Sequence, residues 1–238
     1  MKQKASVRSP VTREGATRAR ADAENSSPAT TSLREAAYEA IKHRIITCAF
    51  RPGEYINELQ LSALLKIGRT PVHQALDRLM MEGMVEVIPR KGVIVKPVSL
   101  NEVLHISEVR IINEPYGARL AAERADDADI AELADIVKRS EHWASLRNVE
   151  SMMLLDRDFH LLIARAARNS VLGELLRSLH ERSLRFWFIS LNAPTHYQNV
   201  QQEHTAILSA IRRRDPAGAE AAMRGHIESF RANVSQFL

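Results

Sequence analysis

The 238-residue sequence contains a single cysteine, Cys48, which excludes an internal disulfide and favours a protein of the reducing cytoplasm. It also lacks any apolar run near the roughly twenty residues that cross a bilayer, so we expect no contact with a membrane. No internal repeat of useful length is present. These absences favour a protein built from ordinary hydrophobic cores, and the apolar content of 45% is sufficient for two domains.

Positive charge is concentrated in the N-terminal part of the chain. Residues 1–98 hold 16 Lys or Arg against 10 Asp or Glu, a net charge of +6, whereas residues 99–238 hold 17 against 19, a net of −2. Within residues 33–98 the balance is 10 against 7, so the predicted folded part is modestly basic. The positive excess therefore lies where nucleic acid would bind.

The stretch from Gly68 to Leu76 predicts the opening of a DNA-recognition helix. We expect Thr70 to cap this helix and Pro71 to occupy its first position, where a missing N–H costs nothing. Arg69 beside the cap suits contacts with phosphates and base edges. Apolar residues at helical spacing predict an inward stripe, formed by Val72, Ala75, Leu76, Leu79 and Met80.

The flanking segments complete a winged helix-turn-helix. Upstream, an apolar stripe at helical spacing predicts a first helix, and we expect Cys48 to lie late in it as a small buried side chain. A Pro52-Gly53 turn and a second short, leucine-rich helix follow before the turn at Gly68. Downstream, Gly83 ends the recognition helix. Two short strands then face each other across a basic tip, so we predict a two-stranded wing; the strand residues are Val85, Val87, Ile88, Val93, Ile94 and Val95.

This segment resembles the GntR family of bacterial transcription regulators over residues 33 to 98. The family string is close to Val-Ser-Arg-Thr-Pro-Val-Arg-Glu-Ala-Leu, and this chain has Ile67-Gly68-Arg69-Thr70-Pro71-Val72-His73-Gln74-Ala75-Leu76. The Pro52-Gly53 turn, Glu82-Gly83 and the wing tip match as well. Gly68, His73 and Gln74 depart from the family residues, so the family's base preference does not transfer, and a glutamine suits adenine.

The motif and its resemblance predict a DNA-contacting set on the recognition helix and the wing. Its members are Arg69, Thr70, His73, Gln74, Arg78, Arg90, Lys91 and Gly92. The alternative is an ordinary helical hairpin whose arginines are solvated, but the turn, cap, wing and basic tip together favour the DNA-binding interpretation.

We interpret residues 1–32 as a flexible tail, because four arginines accompany many Ala, Ser and Thr without an apolar core segment. This composition excludes a secretory signal; a transit peptide shares it, but the bacterial resemblance favours the tail. The sequence thus divides into this tail, a DNA-binding domain over 33–98 and a second domain over 99–238, with the junction between Pro97 and Leu100.

The second domain is predicted to be an all-α bundle. Ser99 and Glu102 have capping-box spacing, Asp126-Asp127 and Asp215-Pro216 begin later helices, and no strand signal follows the wing. We predict six helices, or seven if Pro115 breaks the first of them.

One acidic residue and three histidines form a candidate metal site. Asp156 and His160 are four residues apart and so share a helix face, while His204 and His226 lie on two other predicted helices. One carboxylate and three imidazoles suit zinc, or nickel or another transition metal. From spacing alone, an intrahelical ion pair and satisfied core histidines remain the alternative.

The region from Leu104 to Phe230 resembles the FadR C-terminal domain, the ligand-binding module of one GntR subfamily. In its metal-binding members an Asp and His on one helix, a His after Glu and a late His hold the ion, and all four positions are filled here. The resemblance implies a small organic acid as effector, with Arg110 and Glu114 matching the family's Arg-x-x-x-Glu feature. An Arg110–Glu114 ion pair is the alternative; Trp187 is either an aromatic effector contact or plain core.

These predictions combine into a ligand-gated homodimer that binds an inverted-repeat operator. Two other interpretations stay open. A metal-dependent hydrolase with a DNA-binding accessory would need a base such as Asp158 or Glu203, although Asp158 points away from the ligand face. Alternatively, the four ligands close a purely structural metal site.

Overall fold

Three helices and a small sheet form the N-terminal head, which we define as residues 33–97 of the computed structural model. The structure describes residues 32–97, 99–190 and 194–235, and the side chains of 187–190 and 194–198 lie outside that description, as does the predicted tail before Ser32. The helices of the head are α1 (Leu33–Ile46), α2 (Glu58–Leu65) and α3 (Arg69–Met81). They enclose an apolar core whose largest fully buried members are Tyr38, Ile41, Ile45 and Leu79.

The recognition helix α3 begins two residues earlier than the cap analysis predicts. Gly68 occupies the N-cap position without a side-chain bond, and Thr70 lies inside the first turn, so the predicted Thr70 cap is wrong. Pro71 is tolerated as the third helical residue, since the first-turn N–H groups have no intrahelical acceptor. The inward stripe ends at Leu79, because Met80 is 41% exposed.

The helix α3 ends as the sequence predicts, at a glycine. Gly83 has a φ of 73°, its N–H donates to the carbonyl of Met80, and the N–H of Met84 donates to the carbonyl of Leu79. These two bonds form a Schellman cap, which requires a left-handed residue after the helix. The chain is thereby turned directly into the wing.

The wing hairpin pairs β2 (Val85–Ile88) with β3 (Gly92–Val95), as predicted, but a third strand joins it. Strand β1 (Tyr55–Ile56) pairs antiparallel with the other edge of β3, so the sheet order is β1-β3-β2. The register places Tyr55 opposite Ile94 and Val85 opposite Val95. A two-residue strand is too short for alternation to show in the sequence.

Cys48 lies outside the first helix, contrary to the prediction. Helix α1 ends at Ile46, and Cys48 follows in a turn with a φ of 54° and a half-buried side chain. Burial raises the pKa of its thiol. The apolar pattern of Ile45 and Ile46 therefore stops before the turn rather than passing through it.

Six helices follow the wing among the described residues, and we call residues 99–235 the helical bundle. Helix α4 is continuous across Pro115, so the seven-helix alternative is wrong. Pro115 cannot bond to the carbonyl of Ile111, but Arg224 donates to that oxygen at 3.3 Å. The helices are α4 (Leu100–Arg124), α5 (Asp127–Ser145), α6 (Val149–Ala166), α7 (Ser170–Ser190), α8 (Pro194–Arg212) and α9 (Pro216–Ser235).

Helix α4 packs on α6, α7, α8 and α9, while α5 packs on α6 and α8, and one apolar core is shared by α4, α5, α6, α8 and α9. Phe159, Leu133, Ile207 and Met223 are fully buried in it. No helix among the described residues is long and apolar enough to span a bilayer. The described residues from Leu33 onward form one compact unit, and the boundary at residue 98 stays a prediction.

Candidate functional site

The structure brings the four predicted metal ligands together inside the bundle. Asp156 and His160 come from α6, His204 from α8 and His226 from α9, and all four are buried. One ligand atom from each lies within 4.8 Å of the others. Four residues spread over 71 positions of sequence thus share one small volume because three helices cross there.

The separations between these atoms suit one shared ion. Oδ1 of Asp156 lies 3.4 Å from Nε2 of His204 and 3.9 Å from Nε2 of His160. The Nε2 atoms of His160 and His226 are 3.1 Å apart. Ligands at the usual zinc distance and tetrahedral angle are separated by about 3.3 Å, so the ion needs only small adjustments.

Two carboxylates orient two of the imidazoles. Glu114 accepts a hydrogen bond of 2.7 Å from Nδ1 of His160, and Glu203 accepts one of 2.7 Å from Nδ1 of His226. With Nδ1 of each ring turned to a carboxylate, the Nε2 atoms of His160 and His226 face each other at 3.1 Å. Two nitrogens this close need a proton or a metal ion between them, because two lone pairs would otherwise repel each other.

His204 adds a third donor nitrogen. Its Nε2 is buried and has no hydrogen-bond partner within the described part of the chain, and its ring stacks on Phe159 at 4.1 Å. Burial holds the pKa of His204 well below its usual range, so the ring is neutral near pH 7. A neutral imidazole is the form that binds a metal.

His180 on α7 is a further site residue that the sequence analysis assigned no role. It is 3% exposed, stacks on His160 at 4.5 Å, and its Nε2 lies 3.5 Å from Oδ2 of Asp156. Neither ring nitrogen has a hydrogen-bond partner among the described residues. Burial holds its pKa well below the usual range. No residue at helical spacing from it carries metal chemistry, so sequence offered no signal.

Arg110 and Glu114 form the intrahelical pair that stood as one alternative. Nε of Arg110 donates to Glu114, and Nη1 donates to Ser183 at 3.1 Å; all three residues are buried. Burial alone would raise the pKa of Glu114, but the charge of Arg110 and the hydrogen bond from His160 outweigh it and hold the pKa well below its usual range. Glu114 therefore connects the arginine to a candidate metal ligand.

A small cavity lies against these residues. Its lining includes Arg110, Asp156, His180, Ser183, Glu203 and His226. It offers about 10 Å³ to the centre of a water molecule, which is room for about one water. An organic acid would therefore have to move part of the lining to enter. The side chain of Trp187, the predicted aromatic contact, lies outside the described residues.

The hydrolase alternative finds no support in the positions of its candidate bases. Asp158 is 44% exposed and pairs with Arg157 at 3.0 Å, away from the ligands. Glu203 is bound to His226 and so has an orienting role instead.

The predicted DNA-contacting residues lie on two neighbouring surfaces of the head. Arg69, Thr70, His73 and Gln74 are exposed on the first turns of α3, and the wing tip exposes Arg90, Lys91 and Gly92. Arg69 and Lys91 line one groove, which β1 and α2 close on the other side. Basic groups at both edges of a groove suit a phosphate backbone.

Arg78 differs from the rest of this set. Its guanidinium lies 3.5 Å over the ring of Tyr38 and pairs with Glu35 at 3.0 Å and Glu82 at 3.2 Å. These contacts hold the Arg78 guanidinium within the head, so we do not propose that Arg78 contacts DNA. His73, by contrast, is exposed, and a hydrogen bond to Glu58 with the nearby charge of Asp77 raises its pKa.

A winged helix-turn-helix joined to a helical bundle with a buried histidine cluster is the architecture of a transcription regulator. The sequence profile described as "Bacterial regulatory proteins, gntR family" matches residues 33–95, and that of the "FCD domain" matches residues 105–229. The chain therefore belongs to the GntR family of bacterial regulators and carries an FCD domain, which confirms the resemblance seen in the sequence.

Similar proteins agree with this assignment. The Nta operon transcriptional regulator of Aminobacter aminovorans is 34% identical over 172 residues, which are 71% of this chain and 80% of that protein. The transcriptional repressor RspR of Escherichia coli is 23% identical over 87% of this chain and 91% of its own. These relatives are regulators rather than enzymes.

Two solved structures share the fold. McbR/YncC of E. coli superposes with a TM-score of 0.78 at 22% identity, covering 87% of this chain and 98% of its own. A GntR regulator from Rhodococcus sp. RHA1 gives 0.75 at 19% identity, covering 87% and 100%. They confirm the mainly α architecture with an N-terminal winged helix-turn-helix.

Proposed function

We propose that this GntR-family protein is a cytoplasmic, FadR-like homodimeric repressor or activator whose affinity for an inverted-repeat operator is controlled by a small organic acid. The acid binds at a divalent metal held by Asp156, His160, His204 and His226, with zinc the first candidate and nickel another. The class of regulator rests on the matched family; the metal and the effector rest on the geometry of the site.

One observation carries the metal proposal: the Nε2 atoms of two buried imidazoles, His160 and His226, face each other at 3.1 Å. The unpartnered Nε2 of His204 and the Asp156 carboxylate lie beside them. Buried polar atoms normally have partners, and one divalent ion would satisfy all four donors at once. When bound, that ion supplies positive charge that attracts a carboxylate.

Arg110 is the residue we assign to the effector's carboxylate. It borders the same cavity as Asp156 and His226, and its guanidinium has five donors, of which Glu114 and Ser183 take two. Glu114 then acts by orienting Arg110 and His160 rather than by touching the acid. His180, a neutral ring in the cavity wall, offers a donor and an acceptor to a second polar group of the acid.

An exposed apolar stripe on α4 supports the homodimer. Val109, Ile112 and Tyr116 recur at spacings of three and four and are 40%, 70% and 50% exposed. Apolar side chains arranged in this way suit a self-complementary contact with a second copy. A two-fold dimer presents two recognition helices, which is why we expect an inverted-repeat operator.

The test separates metal from DNA binding. A duplex selected from a random pool by the protein serves as the operator. His160→Ala with His204→Ala should abolish stoichiometric zinc in an elemental assay, whereas the exposed pair His105→Ala with His142→Ala should keep it. Zinc retained in the first variant would contradict the site, and failure to select any duplex would contradict the DNA-binding role.

A purely structural ion is the remaining alternative. Mild chelation distinguishes the two roles, because a sensor should keep its fold and lose its response to organic acids, whereas a structural site should lose its fold. Circular dichroism together with a thermal-shift screen of small organic acids measures both properties.

A further inference from the structure

A buried ion pair joins the recognition head to the helical bundle. Nζ of Lys42 on α1 lies 2.6 Å from Oε2 of Glu181 on α7, and the two side chains are only 4% and 7% exposed. Burying two charges costs about as much free energy as their attraction returns, so such a pair is poor evidence for stability. It does, however, fix one arrangement of the two elements, since either charge left alone would be strongly unfavourable.

On the head side, the pair connects to the end of the recognition helix. Nζ of Lys42 donates to the hydroxyl of Tyr38 at 2.6 Å, and that hydroxyl donates to Glu82 at 2.8 Å. Glu82 is the C-cap residue of α3, and Arg78 in the last turn of α3 bonds to it and covers the ring of Tyr38. A shift of Lys42 therefore changes the hydrogen bonds of the last turn of α3.

On the bundle side, the pair connects to the cavity through one turn of α7. His180 and Ser183 face the cavity, where Ser183 accepts a hydrogen bond from Arg110. Glu181 and Arg185 face the head, where Arg185 donates to the carbonyl of Lys96 at 2.7 Å. The same helical turn therefore lines the candidate site on one side and contacts the head on the other.

Contacts with two candidate ligands make this turn sensitive to a bound ion. The ring of His180 stacks on His160 at 4.5 Å and its Nε2 lies 3.5 Å from Oδ2 of Asp156, so an ion that draws these ligands together also acts on His180. Because α7 is a continuous helix, a displacement of His180 also displaces Glu181. Packed elements shift between discrete arrangements rather than deforming continuously.

We propose that Lys42 and Glu181 are positioning residues that transmit the state of the buried site to the recognition helix. This inference rests on the proposed function, because it assumes that the head binds DNA and that the histidine cluster binds a metal. The pair then couples the metal site to the DNA-binding surface. By linkage, zinc must change operator affinity by the same factor by which the operator changes zinc affinity.

The test measures coupling rather than stability, with zinc alone as the ligand. Operator affinity of metal-free and zinc-loaded protein is compared by fluorescence anisotropy at fixed salt, and zinc affinity is compared with and without the operator. The first ratio is operator affinity with zinc over operator affinity without zinc, and the second is zinc affinity with the operator over zinc affinity without it. In the wild type we expect the two ratios to agree and to differ from one by more than about fivefold, the lower end of typical coupling.

The double variant Lys42→Met with Glu181→Leu removes both charges at similar volume and so avoids an unpaired buried charge. We expect it to bind zinc with unchanged affinity in the absence of DNA, while both ratios fall close to one. Arg168→Met is the control, because it breaks the ion pairs of a partly exposed arginine with Asp126 and Asp129 inside the bundle, away from the head. It should keep the wild-type ratio.

Each outcome separates the two proposals. A double variant that keeps the wild-type ratio overturns the inference alone, as does a wild type that binds zinc and operator without coupling between them. A protein that binds no zinc or selects no operator overturns the proposed function, and the inference falls with it.

Discussion

Glu203 offers the cleanest single substitution for examining the candidate metal site. Its carboxylate accepts the Nδ1 hydrogen of His226 at 2.7 Å, and the side chain is 23% exposed. Glu203→Gln keeps an acceptor at this position but removes the charge that makes the imidazole a better ligand. Glu114 has the same role for His160 but is fully buried against Arg110, so its replacement would also leave a buried charge unpaired.

The expected magnitude follows from the loss of metal affinity. Carboxylates that orient ligating histidines typically contribute tenfold to a hundredfold to affinity. At a free zinc concentration of 100 times the wild-type Kd, binding stabilises the wild type by about 2.7 kcal/mol. A tenfold weaker site retains about 1.4 kcal/mol of that stabilisation, and a hundredfold weaker site about 0.4 kcal/mol.

Chemical denaturation with and without buffered zinc measures this difference. Without zinc, Glu203→Gln should unfold close to the wild-type midpoint, because the partly exposed side chain leaves no buried group unpaired. Glu220→Gln on α9, with an exposed ion pair to Arg119, is the control and should keep the full stabilisation by zinc. If Glu203→Gln binds zinc as tightly as the wild type, the orienting role is refuted.

Three further predictions concern the head. Arg69→Ala should weaken operator binding and lower the salt slope by about one, because an exposed phosphate contact is lost; a gel-shift titration over several salt concentrations measures both. Operator affinity should fall as pH rises through the raised pKa of His73, since the ring then loses a positive charge near DNA, and anisotropy over this range should be flatter for His73→Gln. Gly83→Ala should destabilise the protein by about 1 to 2 kcal/mol in urea unfolding, because its φ of 73° strains an L-residue.

Matched variants give each of these predictions a control. Arg231→Ala, an exposed arginine on α9, should leave operator binding unchanged, and His105→Gln in the bundle should leave the pH profile unchanged. Gly225→Ala in α9 meets open space without positive φ and should stabilise by up to about 1 kcal/mol. The phosphate contact is contradicted if Arg69→Ala and Arg231→Ala lose equal operator affinity. The role of His73 is contradicted if the operator affinity of the wild type does not change with pH, and the Gly83 argument is contradicted if Gly83→Ala leaves the free energy of unfolding unchanged.

Local signals predicted most of the helices because their causes are local. The Asp126 capping box and the Gly83 stop act within a few residues of their own position. Two of the differences came from long-range partners: β1 is held by β3 across the fold, and Pro115 stays helical because Arg224 binds the carbonyl that it leaves free. Neither partner is visible in a short window of sequence.

The candidate site was predictable only in part. The spacing of Asp156 and His160 places them on one helix face, His204 and His226 were candidates as histidines on two other predicted helices, and the resemblance matched all four positions. His180 carried no signal, because its importance comes from the approach of α7 to α6 at one point. Glu203 precedes His204 in sequence, yet its partner is His226 on another helix.

The sequence by itself determined the regulator class, the recognition helix with its wing and the four candidate ligands, since these depend on residue type, short spacing and the resemblance to a known family. The tertiary structure alone decided that the Nε2 atoms of two imidazoles face each other, that Arg78 forms its ion pairs within the head, and that Lys42 forms an ion pair with Glu181. Such contacts join residues dozens of positions apart, and their energies depend on burial and direction, which exist only once the helices have packed.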